Sequence, residues 1–198
     1  MSLRTRLIGV FATLLLTFTG VQAMQPAFAA PVDQMADYGM QFDMGANHQC
    51  LVNSSGKVKC WGSNYEGQLG LGLTSDRQTP TQLSSITDAV QVSAGSNSTC
   101  AVLATGEIMC WGTNGQGQLG NGTTARSTSP VLVTGINTAT QVSVGSNSTC
   151  AVLAEGSIEC WGANWYGQLG NGSTTSRTTP LAVAGISTAV EVSVGPNS

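Results

Sequence analysis

The chain repeats itself every 50 residues without slippage, and six cysteines mark the beat: Cys50, Cys60, Cys100, Cys110, Cys150 and Cys160. Gly45, Gly95, Gly145 and Gly195 open the units, and Gly56, Gly106 and Gly156 sit between the paired cysteines. Trp61-Gly62, Trp111-Gly112 and Trp161-Gly162 follow each second cysteine, Gly67-Gln68-Leu69-Gly70 recurs at 117–120 and 167–170, and Pro80, Pro130 and Pro180 close the series. Residues 91–140 and 141–190 align without a gap and agree at 33 of 50 positions. A period of this size marks stacked supersecondary units, none of which buries its apolar face alone. The reading is therefore three units, 41–90, 91–140 and 141–190, with the opening of a fourth at 191–198. Val194 to Ser198 aligns with Val144 to Ser148, which points to a truncated reading of a protein near twice this length.

Within a unit the pattern is strand-like. Val90 to Ala94 alternates apolar and polar residues, as a half-buried strand does. Thr99 to Leu103 and Ile108 to Trp111 are short β-rich runs, joined by Ala104-Thr105-Gly106, a three-residue hairpin loop whose last position wants a positive φ. A fourth strand is expected at Val131 to Thr134, with Pro130 at its start, where a missing N–H does least harm. Four strands per unit make one small antiparallel sheet.

The hairpin fixes its own register. With Leu103 opposite Glu107, the next partners are Val102–Ile108, Ala101–Met109 and Cys100–Cys110. A hydrogen-bonded closing pair puts the cysteines at a non-bonded pair, where Cα atoms approach to about 4.5 Å, within reach of a disulfide. The expected bridges are Cys50–Cys60, Cys100–Cys110 and Cys150–Cys160. Zinc is the rival reading, but the spacing lacks the short Cys-x2–4-Cys form of structural sites. The face holding Cys50, Val52, Val58 and Cys60 is apolar in every unit and is assigned to packing. The other face varies (Lys59, Met109, Glu159 and Lys57, Glu107, Ser157) and is expected at solvent or at a blade edge.

Residues 1–29 differ in character. Arg4 and Arg6 precede a charge-free apolar run, Leu7 to Val21, and Ala27-Phe28-Ala29 supplies the small residues of a signal-peptidase site. The run is short for a membrane anchor, so cleavage is expected, followed by a linker over 30–40 and no membrane span in the mature chain. Export favours oxidised cysteines and a secreted or cell-surface location. Charged residues are only 9% of the chain, against about a quarter in typical soluble domains. The net charge of −3 offers no basic surface, so nucleic acid is not an expected partner.

The run Gly95…Cys100-Ala101-Val102-Leu103…Gly106…Cys110-Trp111-Gly112-Thr113-Asn114…Gly117-Gln118-Leu119-Gly120…Pro130 resembles the repeat of the regulator of chromosome condensation family. The third unit matches as well, and the first more loosely, with Leu51-Val52-Asn53 and Leu71. The resemblance covers 41–198 and implies an all-β fold, a β-propeller of four-stranded antiparallel blades. Seven blades are common in the family, so about three are present here. The signal peptide and paired cysteines look more like an exported bacterial branch, which also holds β-lactamase-inhibitory propellers. The paired glycines of kelch repeats are missing.

No catalytic constellation emerges, and no cofactor or metal is expected. His48, the one histidine, stands where other units have Ser98 and Ser148 and reads as a loop residue before a strand. Asp76, Glu66 and Asp88 are isolated. The tryptophans after the second cysteines do not vary and read as scaffold. The next loop does vary, carrying Tyr65-Glu66, Gly115-Gln116 and Trp165-Tyr166. A fixed frame with changing tips suits binding, and large aromatics suit contact hot spots. The expected partner-binding residues are Tyr65, Glu66, Gln116, Trp165 and Tyr166, on a non-enzymatic module that binds an extracellular protein or glycan. The alternative is an exported enzyme or multidomain protein whose catalytic part lies beyond residue 198. Guanine-nucleotide exchange, the family analogy, is opposed by export, cysteine pairing and acidic charge. Arg77, Arg126 and Arg177, on the longer loops, read as solvated.

Overall fold

A computed structural model describes residues 40–195. The expected leader, nearly all of the linker, and residues 196–198 of the fourth-unit opening lie outside the described residues. Twelve strands follow one another and form three four-stranded antiparallel sheets. Blade 1 comprises β1 (Gln41–Met44), β2 (His48–Val52), β3 (Val58–Gly62) and β4 (Arg77–Gln82). Blade 2 comprises β5 (Ala89–Ala94), β6 (Ser98–Leu103), β7 (Ile108–Gly112) and β8 (Ser127–Leu132). Blade 3 comprises β9 (Ala139–Val144), β10 (Ser148–Leu153), β11 (Ile158–Gly162) and β12 (Arg177–Ala182). Each sheet is a simple meander.

The central hairpin has the register its turn dictates. Val102 faces Ile108, Ala101 faces Met109 and Cys100 faces Cys110, and the Leu103 N–H donates to the Glu107 carbonyl at 2.9 Å. Gly106 holds a φ of 81°, and a Cβ there would stand 2.5 Å from the Asn137 carbonyl oxygen. Glycine is thus required both by conformation and by space. The three bridges are Cys50–Cys60, Cys100–Cys110 and Cys150–Cys160, with Cα separations of 4.2, 4.0 and 4.1 Å. Such short separations belong to non-hydrogen-bonded antiparallel pairs.

Three expectations need correction. The fourth strand is Ser127–Leu132, not Val131 to Thr134, and Pro130 lies inside it. β8 is the outer edge of its sheet, where a proline nitrogen turned away from β7 interrupts no ladder bond. Second, the variable hairpin face is not given over to solvent. Met109, Leu103, Ala101 and Trp111 of blade 2 pack into one cluster with Cys50, Val52, Val58 and Cys60 of blade 1. Both faces of a middle blade are therefore packing faces. On blade 3 the half-buried Glu159 shows the electrostatic consequence: burial, then the charge of Glu155, push its carboxyl above the usual range. Third, His48 is the first residue of β2 and is buried, rather than a loop residue.

The joints between blades repeat as faithfully as the sequence. The Gln41 side-chain oxygen accepts from the Val92 N–H, Gln91 from Val142, and Gln141 from Val192, each at 2.7 Å. The indole N–H of Trp111 donates to the Gln68 carbonyl and that of Trp161 to the Gln118 carbonyl, both at 2.8 Å. Gly120 lies against the second indole, since a Cβ there would fall 2.7 Å from Trp161 Nε1. The constant Gly-Gln-Leu-Gly run of one blade is thus the seat for the constant Trp of the next. Trp111 and Trp161 are fully buried, whereas Trp61, with no preceding blade among the described residues, is half-buried and packs on Phe42 with ring centroids 5.9 Å apart.

Candidate functional site

The meander sends two kinds of connection to the same rim. Met44 pairs with Gln49 and His48 with Gly62, so the β1–β2 turn and the start of the β3–β4 loop lie at one end of the sheet. They are bonded there: Ser63, Thr113 and Ala163 donate from their backbone N–H groups to the carbonyls of Asn47, Asn97 and Asn147 at 2.9, 2.9 and 2.8 Å. The hairpin turns and the crossovers between blades occupy the opposite rim, where Ala104 N–H donates to the Asp88 carbonyl at 2.8 Å. The variable tips all belong to the first rim.

Each tip is held from inside by residues that do not vary. Asn164 is fully buried; its Oδ1 accepts from the Leu169 N–H at 3.0 Å, and its Nδ2 donates to the carbonyls of Ser173 and Thr175 at 2.9 and 3.1 Å. Asn64 and Asn114 make the equivalent bonds. Gln68, Gln118 and Gln168 accept from the N–H groups of Glu66, Gln116 and Tyr166 at 3.0, 2.9 and 3.0 Å. These struts fix the backbone of the tip without calling on its side chains.

The tip side chains then face outward. Tyr65 is 57% exposed, Trp165 53% and Tyr166 89%. Gln116 is half-buried and Gly115 leaves its position open. Glu66 is drawn inward by Arg126 of the next blade, whose guanidinium donates to the Glu66 carboxylate at 3.3 Å and to the Tyr65 carbonyl at 3.2 Å. Arg126 therefore bridges two blades across the rim while remaining exposed to solvent, as the sequence suggests. The struts and this bridge escaped the reading from sequence alone. The constant Asn and Gln were visible as part of the repeat, but their roles require the folded loop.

The same rim also has a depression of about 360 Å3 lined by Asp43, Ser93, Ser143 and Ser193 and by Gly45, Gly95 and Gly145. Both Asp43 carboxylate oxygens are already engaged, by the N–H groups of Met44 and Ala94 at 2.9 and 2.8 Å. Among the described residues no group of three or more His, Cys, Asp or Glu side chains is placed to hold a metal ion, and no helix is long and apolar enough to cross a membrane. Burial lowers His48 from 6.5 to about 4 against a raising effect of Asp43, so the imidazole is neutral at neutral pH. It is shielded from the rim surface, with Nε2 2.7 Å from Thr99 Oγ1.

Many solved structures resemble the chain, three of them with TM-scores above 0.6 over at least 70% of it. Human WBSCR16 is 25% identical, with 72% of this chain and 37% of that chain covered at a TM-score of 0.64. Prp20p from Saccharomyces cerevisiae is 19% identical over 72% and 37%, with a TM-score of 0.65. Yeast RCC1 (Prp20) in its complex with Kap60 is 22% identical over 70% and 34%, with a TM-score of 0.61. The chain thus spans little more than a third of the length of these propellers. The regulator of chromosome condensation (RCC1) repeat itself matches residues 55–102, 105–152 and 155–198, and a second form of it matches 41–68, 89–118 and 139–168. The matched windows cover most of the sequence and carry the cysteine hairpins, the Trp-Gly pairs and the Gly-Gln-Leu-Gly seats, so the chain belongs to the regulator of chromosome condensation (RCC1) repeat family.

Proposed function

We propose that this chain is a non-enzymatic binding module, working outside the cytoplasm, that engages a protein or glycan through the rim of variable loop tips. The observation that carries the reading is the contrast within one loop. The Asn and Gln struts, all buried except the half-buried Gln168, are invariant across blades, while the residues they present change from Tyr65-Glu66 to Gly115-Gln116 to Trp165-Tyr166. Preorganised backbone lowers the entropy lost on binding, and exposed aromatics provide large contact area. A protein partner has precedent among the relatives: Prp20p has binding properties toward Gsp1p and histones, and Kap60 binds yeast RCC1. The three cysteine bridges favour an oxidising location, and the scarcity of charge argues against nucleic acid.

The test is a screen of the oxidised chain against a glycan array and against surface proteins of the producing cell, followed by titration of the best binder. The double substitution Trp165→Ala and Tyr166→Ala is expected to weaken that binding by about 2 kcal/mol, or about 30-fold, as at a hot spot, with the far-UV circular dichroism unchanged. Thr105→Arg, on the opposite rim, should leave it intact. An unchanged affinity in the double variant, or a loss with Thr105→Arg instead, contradicts the assignment of this rim.

A further inference from the structure

His48 is the one ionisable side chain among the described residues that is fully buried at a joint between blades. The bonds around it fix its protonation. The Thr99 hydroxyl donates to the Gln68 carbonyl at 2.8 Å, so it has only lone pairs left to offer the imidazole, and His48 donates from Nε2. Trp111 donates to the same Gln68 carbonyl, and the Gln68 side chain holds the Glu66 N–H. The imidazole is therefore two hydrogen bonds from the seat of blade 2 and three from the tip of blade 1.

The other ring nitrogen has no such place. Nδ1 is buried and unpartnered. The turn lies close over that edge of the ring: a Cβ on Gly45 would be 2.6 Å from Cε1 and 2.8 Å from Nδ1. A second N–H on this ring would point at backbone that offers it no bond, and a buried charge without a partner is costly. Few charges face the ring. Asp43 on β1 acts on it through its charge, but no hydrogen bond joins its carboxylate to Nδ1; its oxygens accept from the N–H groups of Met44 and Ala94. β5 and β6 carry no ionisable residue, Lys59 of β3 alternates onto the other sheet face, and Glu66 is turned to Arg126.

We propose that the joint between blades 1 and 2 is an acid-sensitive hinge, opened when His48 takes a proton on Nδ1. The joint between blades 2 and 3 has Ser98 at the same position and lacks the device. Opening separates Arg126 from Glu66 and Tyr65, so blade 1 loses its hold on the rest of the rim while blade 3 keeps its tip.

The sign follows from linkage. The unfolded or opened ring takes a proton near 6.5 and the closed one near 4, so between these values the opened form binds more protons, and closure weakens as pH falls. His48 is the single histidine, and carboxylates in the ordinary range remain largely ionised at pH 5; Glu159 of blade 3, whose carboxyl is raised by burial, takes its proton more readily in the folded form and so does not loosen its joint as pH falls. Amide hydrogen exchange of the oxidised chain at pH 7 and pH 5, corrected for intrinsic exchange, reads the hinge directly. From pH 7 to pH 5 the protection of Val92 and Ala94 should fall by about 20-fold, the linkage expected for this shift. Val142 and Val144, their counterparts in the next joint, should hold theirs. In His48→Ser, which installs the residue of the other units, the two joints should respond alike. Equal losses at Val92 and Val142 in the natural chain, or a fall at Val92 that survives in His48→Ser, would overturn the hinge.

Discussion

Replacing Trp161 by alanine should cost about 4 kcal/mol, as truncation of a fully buried tryptophan does, while the same change at Trp61 should cost about 1 kcal/mol or less, as at a partly solvated site. The two residues share one motif position, and sequence alone does not separate them. Trp161 is fully buried among Cys100, Ile108, Cys110 and Leu119 of the preceding blade and donates to the Gln118 carbonyl. Its removal opens a cavity in the joint and leaves that carbonyl with the Thr149 hydroxyl alone. Trp61 has Phe42 beside it and no seat to enter among the described residues. Trp111, seated like Trp161, should behave like Trp161. Urea unfolding of the three alanine variants, followed by far-UV circular dichroism, measures the ordering. Equal costs at Trp61 and Trp161 would remove the joint from the explanation and leave the tryptophans as packing within their own blades.

Asn164→Ala is the second large effect, expected at about 3 kcal/mol because a buried N–H and two carbonyls lose their partner together. Leu169 N–H, Ser173 O and Thr175 O all depend on this one amide. Aspartate does not rescue the site. A carboxylate keeps the acceptor for Leu169 but presents oxygen to the two carbonyls that the Nδ2 group now serves. The loop carrying Trp165 and Tyr166 should therefore become a site of proteolytic nicking in both variants, whereas blade 1, with its own Asn64, should stay resistant. Limited proteolysis with mapping of the first cut checks this. Resistance of 165–176 in Asn164→Ala would mean that the tip is held by something other than its strut.

The hairpins were legible because their geometry is local. A three-residue loop ending in Gly106 sets the register from Val102–Ile108 down to Cys100–Cys110, and nothing distant competes with it. The outer strand was harder. Its pairing with β7 begins at Met109–Leu132, slips between Cys110 and Gly112, and resumes at Gly112–Ser127, so the strand starts earlier than the proline suggests. Proline marks a strand start in a central position, but β8 is an edge. The assignment of a packing face and a variable face assumed a single buried side, which suits an isolated antiparallel sheet. Stacking of blades buries both, and residues as different as Lys59, Met109 and Glu159 share one position because neighbours on each blade differ. His48 was misplaced for a similar reason: the space that receives its ring is made by Gly45 and by Thr99 of the next blade, and no local pattern announces it. Variation between units singles out Tyr65, Trp165 and Tyr166, which are exposed in the fold, whereas nothing local marks Arg126, whose contacts cross a joint.

Each 50-residue unit closes on itself as one cross-linked blade and stacks on the next. A non-reducing peptide map of the folded chain tests this most directly. Bridges joining Cys50 to Cys60, Cys100 to Cys110 and Cys150 to Cys160, with no free thiol, are the predicted result. A bridge between cysteines of different units, or a substantial pool of reduced cysteine in the folded chain, would contradict it.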